Sequence, residues 1–282
     1  MKNIRLLAFT NFWALLIHLG FSYLTQLNMI NDVDVAEISH RSPSLFTPTD
    51  MTFSIWGLIY LLLFMFCIYH LIAAFKYPPS HPANENTHRL GGMFILCNLA
   101  TAAWLYCWTH AWLGLSLVLI VLQLIILLSV NMHLRIYDRD AGTASKVFTQ
   151  LPLSVWFGWI TVATIANADI YLLASGWQGL HLTQERWTAI LTGIAVLMGL
   201  CMVLFRRNVF YGLVIIWALC GILLRHTAAG ISPYREIRTV AEAGLILLGI
   251  ACILQLVRNL SFRRHHLRRH YPLFPEAPHS LK

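Results

Sequence analysis

Charge is scarce in this 282-residue chain: Asp, Glu, Lys and Arg make up 11% of it, apolar residues 58%, and the mean hydropathy is +0.64. That balance excludes an ordinary soluble domain. Catalytic signatures are missing as well. The sequence has no phosphate-cradling glycine loop, no H-E-x-x-H pair and no nucleophile elbow, so nothing in it points to an enzyme. The six cysteines, Cys67, Cys97, Cys107, Cys201, Cys220 and Cys252, all fall in apolar stretches, with no metal-ligand spacing and none in an exposed outer loop. They read as small core residues, which argues against a disulfide framework or a zinc site, and no cofactor is expected.

Long apolar runs are what the chain has instead. A helix needs roughly 20 apolar residues to cross a hydrocarbon core about 30 Å thick. Eight windows qualify: 6–27, 52–75, 90–109, 112–133, 148–173, 187–205, 209–225 and 238–257. The expected fold class is therefore all-α, a polytopic membrane helix bundle of about eight transmembrane helices. The first window follows Lys2 and Arg5 but is long and lacks a small-residue cleavage site, which predicts a retained helix in place of a cleaved leader.

Basic residues set the expected orientation. With the N-terminus inside, fifteen of the twenty lysines and arginines are cytoplasmic, and Arg41, Arg186, Arg225, Arg235 and Arg238 lie outside. An even number of spans then brings the C-terminus inside too. The net charge of +8 is concentrated in the tail, where Arg263, Arg264, Arg268 and Arg269 supply four positive charges. Such a cluster either anchors topology or attracts anionic membrane lipids, at about 1 kcal/mol per basic residue. So short a patch beside a span does not suit nucleic acid.

The second span organises the rest. Pro48 opens it, and Phe53, Trp56, Tyr60 and Cys67 follow at steps of three, four and seven, which puts them on one helix face. The first span carries His18 and Tyr23; an intramembrane histidine marks either a ligand or proton site or a hydrogen bond to a neighbouring helix. The third carries Thr101, Trp104 and Trp108, and the fourth is nearly all Leu, Ile and Val apart from Gln123 and is expected to face lipid. The fifth brings Pro152, Trp156, Trp159, Ala163, Thr164 and Asn167 together, a mixture of aromatic, small and polar groups that must look inward. The loop Asn28–Asp50 is long enough to fold over a cavity mouth, whereas Lys76–Pro82 reads as an extended connector. Alternating helix directions place Tyr23, Trp56, Tyr60, Thr101, Trp104, Trp108, Trp159, Ala163 and Asn167 between mid-membrane and the outer surface. They form either the wall of an aromatic cavity or a packed aromatic core with an interfacial belt.

These motifs resemble the TspO/MBR family, the tryptophan-rich sensory or translocator proteins. That family has five helices, with a proline-led F-x-x-W-x-x-x-Y core in the second, a small-residue and tryptophan stretch in the third, and W-x-x-x-A-T-x-x-N in the fifth. Here the matching residues are Pro48, Phe53, Trp56 and Tyr60, then Thr101 and Trp104, then Trp159, Ala163, Thr164 and Asn167, over roughly residues 6–173. Thr101 stands where the family usually has asparagine, and Pro152 lies seven residues before Trp159 where the family has four. The last three windows have no counterpart in five helices, which makes this a longer, divergent member. The expected organisation is a TspO-like five-helix bundle over 1–174, three additional helices over 175–258 and a basic cytoplasmic tail over 259–282.

The resemblance implies a flat hydrophobic ligand, a porphyrin or other tetrapyrrole or a sterol-like molecule, with a transport or sensing role and frequent homodimers. With the shared depth of these positions it makes Tyr23, Phe53, Trp56, Tyr60, Thr101, Trp104, Trp159, Ala163 and Asn167 the expected binding residues, and a bacterial inner membrane the expected location. Two other classes stay open: a regulatory or interaction membrane protein without a small ligand, and a photo-oxidative enzyme that degrades tetrapyrroles. Beyond the fifth span, Arg225, Arg235 and Arg238 either pair with Glu236 and Glu242 or bind an anion.

Overall fold

The structure, a computed structural model, describes residues 2–136, 138, 141–177, 179–227 and 234–270. Residues 271–282, Arg139, Pro233 and the side chains of the tail arginines Arg263, Arg264, Arg268 and Arg269 lie outside the described part.

In chain order the helices are α1 (Lys2–Gln26), α2 (Val35–Arg41), α3 (Ile55–Lys76), α4 (Pro82–Leu90), α5 (Met93–Thr109), α6 (Leu113–His133), α7 (Thr143–Ser145), α8 (Leu151–Ala174), α9 (Gln184–Leu204), α10 (Val209–Thr227) and α11 (Arg235–His270). A 3-10 turn, Asp50–Ser54, leads into α3, and a π turn, Lys146–Gln150, joins α7 to α8. No strand occurs among the described residues. In hydrocarbon every backbone N–H and C=O must be satisfied within the chain, and long helices do this. Among the described residues seven of them are long and apolar enough to cross a membrane, and α4 with α5, bent by 57°, makes an eighth. All eight fall on the apolar windows of the sequence.

Five spans form a closed ring, in which α1 packs on α3, α3 on α8, α8 on α6, α6 on α5 and α5 back on α1. The remaining three, α9, α10 and α11, pack on one another and dock against α8 chiefly through α10. Glycine permits that docking. A Cβ at Gly158 of α8 would come within 3.0 Å of Val214 Cβ, so the two helices meet backbone to side chain. The outer surface keeps large apolar residues, such as Leu58, Leu61 and Phe64 on α3 and Ile250, Ile253 and Val257 on α11, where lipid is as good a neighbour as protein.

The segment expected to be an extended connector is different in part, because α4 begins at Pro82. His81 caps it by accepting from Ala83 N, and proline at the first helical position gives up an N–H that would have had no partner anyway. The π turn has a similar cause. Pro152 lacks the N–H that would reach the carbonyl four residues back, and the wider turn ends just ahead of it. The fourth span does not simply face lipid: Gln123 is fully buried in the ring.

Candidate functional site

Trp56, near the start of α3, is the hub of the ring's aromatic interior. Its ring stacks on Trp104 of α5 at 6.3 Å, meets Trp159 of α8 edge-on at 6.3 Å and lies 5.5 Å from Tyr60. Trp104 stacks in turn on Trp108 at 5.7 Å, and Phe53 meets Trp159 edge-on at 6.0 Å. Edge and offset contacts of this kind follow from the charge distribution of the rings.

Two spaces adjoin this cluster. A cavity of about 500 Å³ lies between α1, α2 and α3, lined by Ser22, Tyr23, Phe53, Trp56, Gly57 and Tyr60 among others. A chamber of about 30 Å³ lies deeper, walled by Trp56, Trp104, Trp108, Trp159, Ala163 and Asn167. Val35, Phe53 and Trp56 line both, so they are the partition between them. Eight of the nine expected residues therefore border one space or the other. Thr101 borders neither; its hydroxyl donates to Gln123 Oε1 at 2.8 Å, which ties α5 to α6.

The chamber is narrow, with Trp159 2% and Trp104 3% exposed. Its lining also carries polar groups, of which Ser39, Thr47 and Trp108 are hydrogen-bonded within the protein. Trp104 Nε1, Trp159 Nε1 and Asn167 Nδ2 are buried donors that meet no acceptor among the described residues, while Asn167 Oδ1 accepts from Ser116 Oγ at 3.3 Å. A buried donor without an acceptor costs about 1–3 kcal/mol, and all three belong to residues that line the chamber.

His18 lies beside the cavity wall, fully buried and 5.4 Å from the Tyr60 ring. Asn98 Nδ2 donates to Phe94 O, which turns Oδ1 towards His18; Nδ1 then donates to that oxygen at 2.9 Å. Of the two roles open to this histidine, the hydrogen bond to a neighbouring helix is present. Its Nε2 has no partner.

The loop expected over the cavity mouth contains α2, which lines both spaces through Val35. Asp34 caps α2 by accepting from Glu37 N at 2.8 Å. On one side the lid is held by α5, where Trp108 Nε1 donates to Val35 O at 3.1 Å, and by Asn31 Nδ2, which donates to Thr109 O at 2.7 Å. On the other side it reaches the additional helices. Of the arginines there, Arg238 pairs with Glu242 at 3.5 Å and Arg186 with Glu236 at 3.2 Å, whereas Arg225 donates to the lid carbonyls of Ser44 and Thr47. That last contact joins residues some 180 positions apart and has no signal in the local sequence.

No group of three or more metal-ligating side chains occurs among the described residues. The fold and its interior define a polytopic helical membrane protein built round an aromatic chamber. The chain belongs to the TSPO-like protein family, whose model matches residues 8–254, well past the 6–173 stretch that carries the motifs. No curated protein and no solved structure matches it.

Proposed function

We propose that this protein binds a flat hydrophobic molecule carrying several hydrogen-bond acceptors, a tetrapyrrole in the first instance, against the Trp56–Trp104–Trp159 wall, and that it transports or senses that molecule without transforming it. The observation that carries this reading is the set of three unaccepted donors in a chamber adjoining a 500 Å³ cavity. Indole faces stack on planar ligands, and the donors suit carboxylate or carbonyl oxygens. A sterol offers one hydroxyl and would leave two donors unanswered. In bound form the ligand would span the partition at Phe53 and Trp56, since pockets for molecules of this size hold about 300–1,000 Å³.

The test is a tryptophan-fluorescence titration of the purified chain with protoporphyrin IX, haem and a sterol. Saturable quenching by the first two, weaker for the sterol, is expected. Absence of saturable quenching would leave an interaction protein as the better reading, and light-dependent loss of the porphyrin would favour the photo-oxidative one.

The charge distribution supports an orientation with both termini cytoplasmic, in a bacterial inner membrane. Single cysteines at His81 and Met29, in a background without the natural six, should label from the cytoplasmic and outer faces respectively. Labelling of position 29 from the cytoplasm would invert the topology and turn the cavity mouth inward.

A further inference from the structure

The lid's far edge is fastened to helices that lie outside the five-helix ring. Arg225 Nη1 donates to Ser44 O at 3.1 Å and to Thr47 O at 2.5 Å, and His226 Nε2 bonds Leu45 O at 2.8 Å. Lower on α10, Trp217 Nε1 donates to Thr52 O at 2.9 Å and Thr49 N to Gly221 O at 3.3 Å. From α9, Gln184 Nε2 donates to Pro43 O. Ser44 Oγ and Trp187 Nε1 both donate to the buried carboxylate of Asp169, at 2.6 and 2.7 Å, which joins lid, α8 and α9 at one point. The loop also rests on the α10 backbone itself, since a Cβ at Gly221 would lie 2.0 Å from Thr52 Oγ1 and 2.9 Å from Pro48 Cβ.

Thr47 and Pro48 line the chamber. At about 30 Å³ the chamber holds roughly one water's share of space, so any larger molecule must displace a wall. The roof is the wall made of loop, and loops open at lower free energy than packed helices. A planar guanidinium that bonds two carbonyls at once fixes the loop with little loss of its own freedom.

We propose that Arg225 and His226, with Trp217 and Gly221, are positioning residues for the lid, and that α9 to α11 thereby set how readily the aromatic chamber admits its ligand. The role in ligand admission rests on the binding reading above; the fastening of the lid does not.

Hydrogen–deuterium exchange on the full chain tests the fastening without ligand. Arg225→Ala, Gly221→Ala and Trp217→Phe remove a donor, insert a clash and remove a second donor. Each should raise exchange in segment 43–52 at least tenfold while α8 exchanges as before. Rates in 43–52 within twofold of the original chain would overturn the proposal. Should Arg225→Ala fail to fold, the other two variants decide it by different means. Stopped-flow quenching with protoporphyrin IX tests admission: association and dissociation rates should rise together several-fold with the Kd within twofold. A lower affinity with unchanged association rate would assign these residues to structure alone and overturn the admission role. If protoporphyrin IX fails to quench the original chain, the binding reading and the admission role fall together, and the exchange result still decides the fastening.

Discussion

The ring and the trio α9–α11 fill their interiors by different rules. In the trio, glycines let neighbouring side chains press against backbone: a Cβ at Gly212 would lie 2.4 Å from Val203 Cγ2 and 2.8 Å from Cys252 Sγ, and one at Gly244 2.4 Å from Val196 Cγ2. Inside the ring, large rings meet at 5.5–6.3 Å around Trp56, beside space and donors without acceptors. Close packing makes the trio a stiff support, although Thr188 Oγ1 and Arg238 Nε there are also buried without a partner among the described residues; what sets the ring apart is that its unpartnered Trp104, Trp159 and Asn167 nitrogens belong to residues bordering a space.

That contrast can be broken experimentally. The largest effect on stability should come from Gly212→Val, which forces a branched side chain into a contact already closed, at a cost of about 1–3 kcal/mol or more. Its melting, followed by circular dichroism, should shift down by several degrees; a melt like that of the original chain would mean the trio yields easily. A smaller effect is expected of Trp217→Phe, which removes the indole donor to Thr52 O and should cost about 1 kcal/mol. The smallest belongs to Trp159→Phe. Its indole N–H has no acceptor, so removing it offsets the lost ring area and the melting should barely move, while protoporphyrin affinity falls at least threefold. Equal melting and equal binding for the two tryptophan variants would erase the distinction between satisfied and unsatisfied indoles.

Much of this was legible in the sequence for a physical reason: apolar length alone identifies a membrane span, and all eight windows hold a span. The helix-face spacing of Phe53, Trp56 and Tyr60 likewise predicts their meeting. The short helices also carry local signals: the Asp34 cap of α2, and the Pro82 start and Gly91 end of α4, where Gly91 adopts φ 52°. Other features had no local signal. Thr101 shares the depth of the aromatic residues but turns to Gln123, a choice set by the rotation of α5 against α6. The narrowness of the chamber depends on how far the lid settles, and Arg225's partners are loop carbonyls, which no residue pattern encodes.

Pro152 and its π turn have a consequence for how the family's motif tolerates change. Seven residues of regular helix separate Pro152 from Trp159, close to two full turns, and four residues are close to one. The two offsets differ by three residues, so the proline stands about 4.5 Å further along α8 and about 60° away in azimuth. The backbone defect thus lies about two turns before Trp159, and the regular helix that follows it carries Trp159, Ala163 and Asn167 to the chamber.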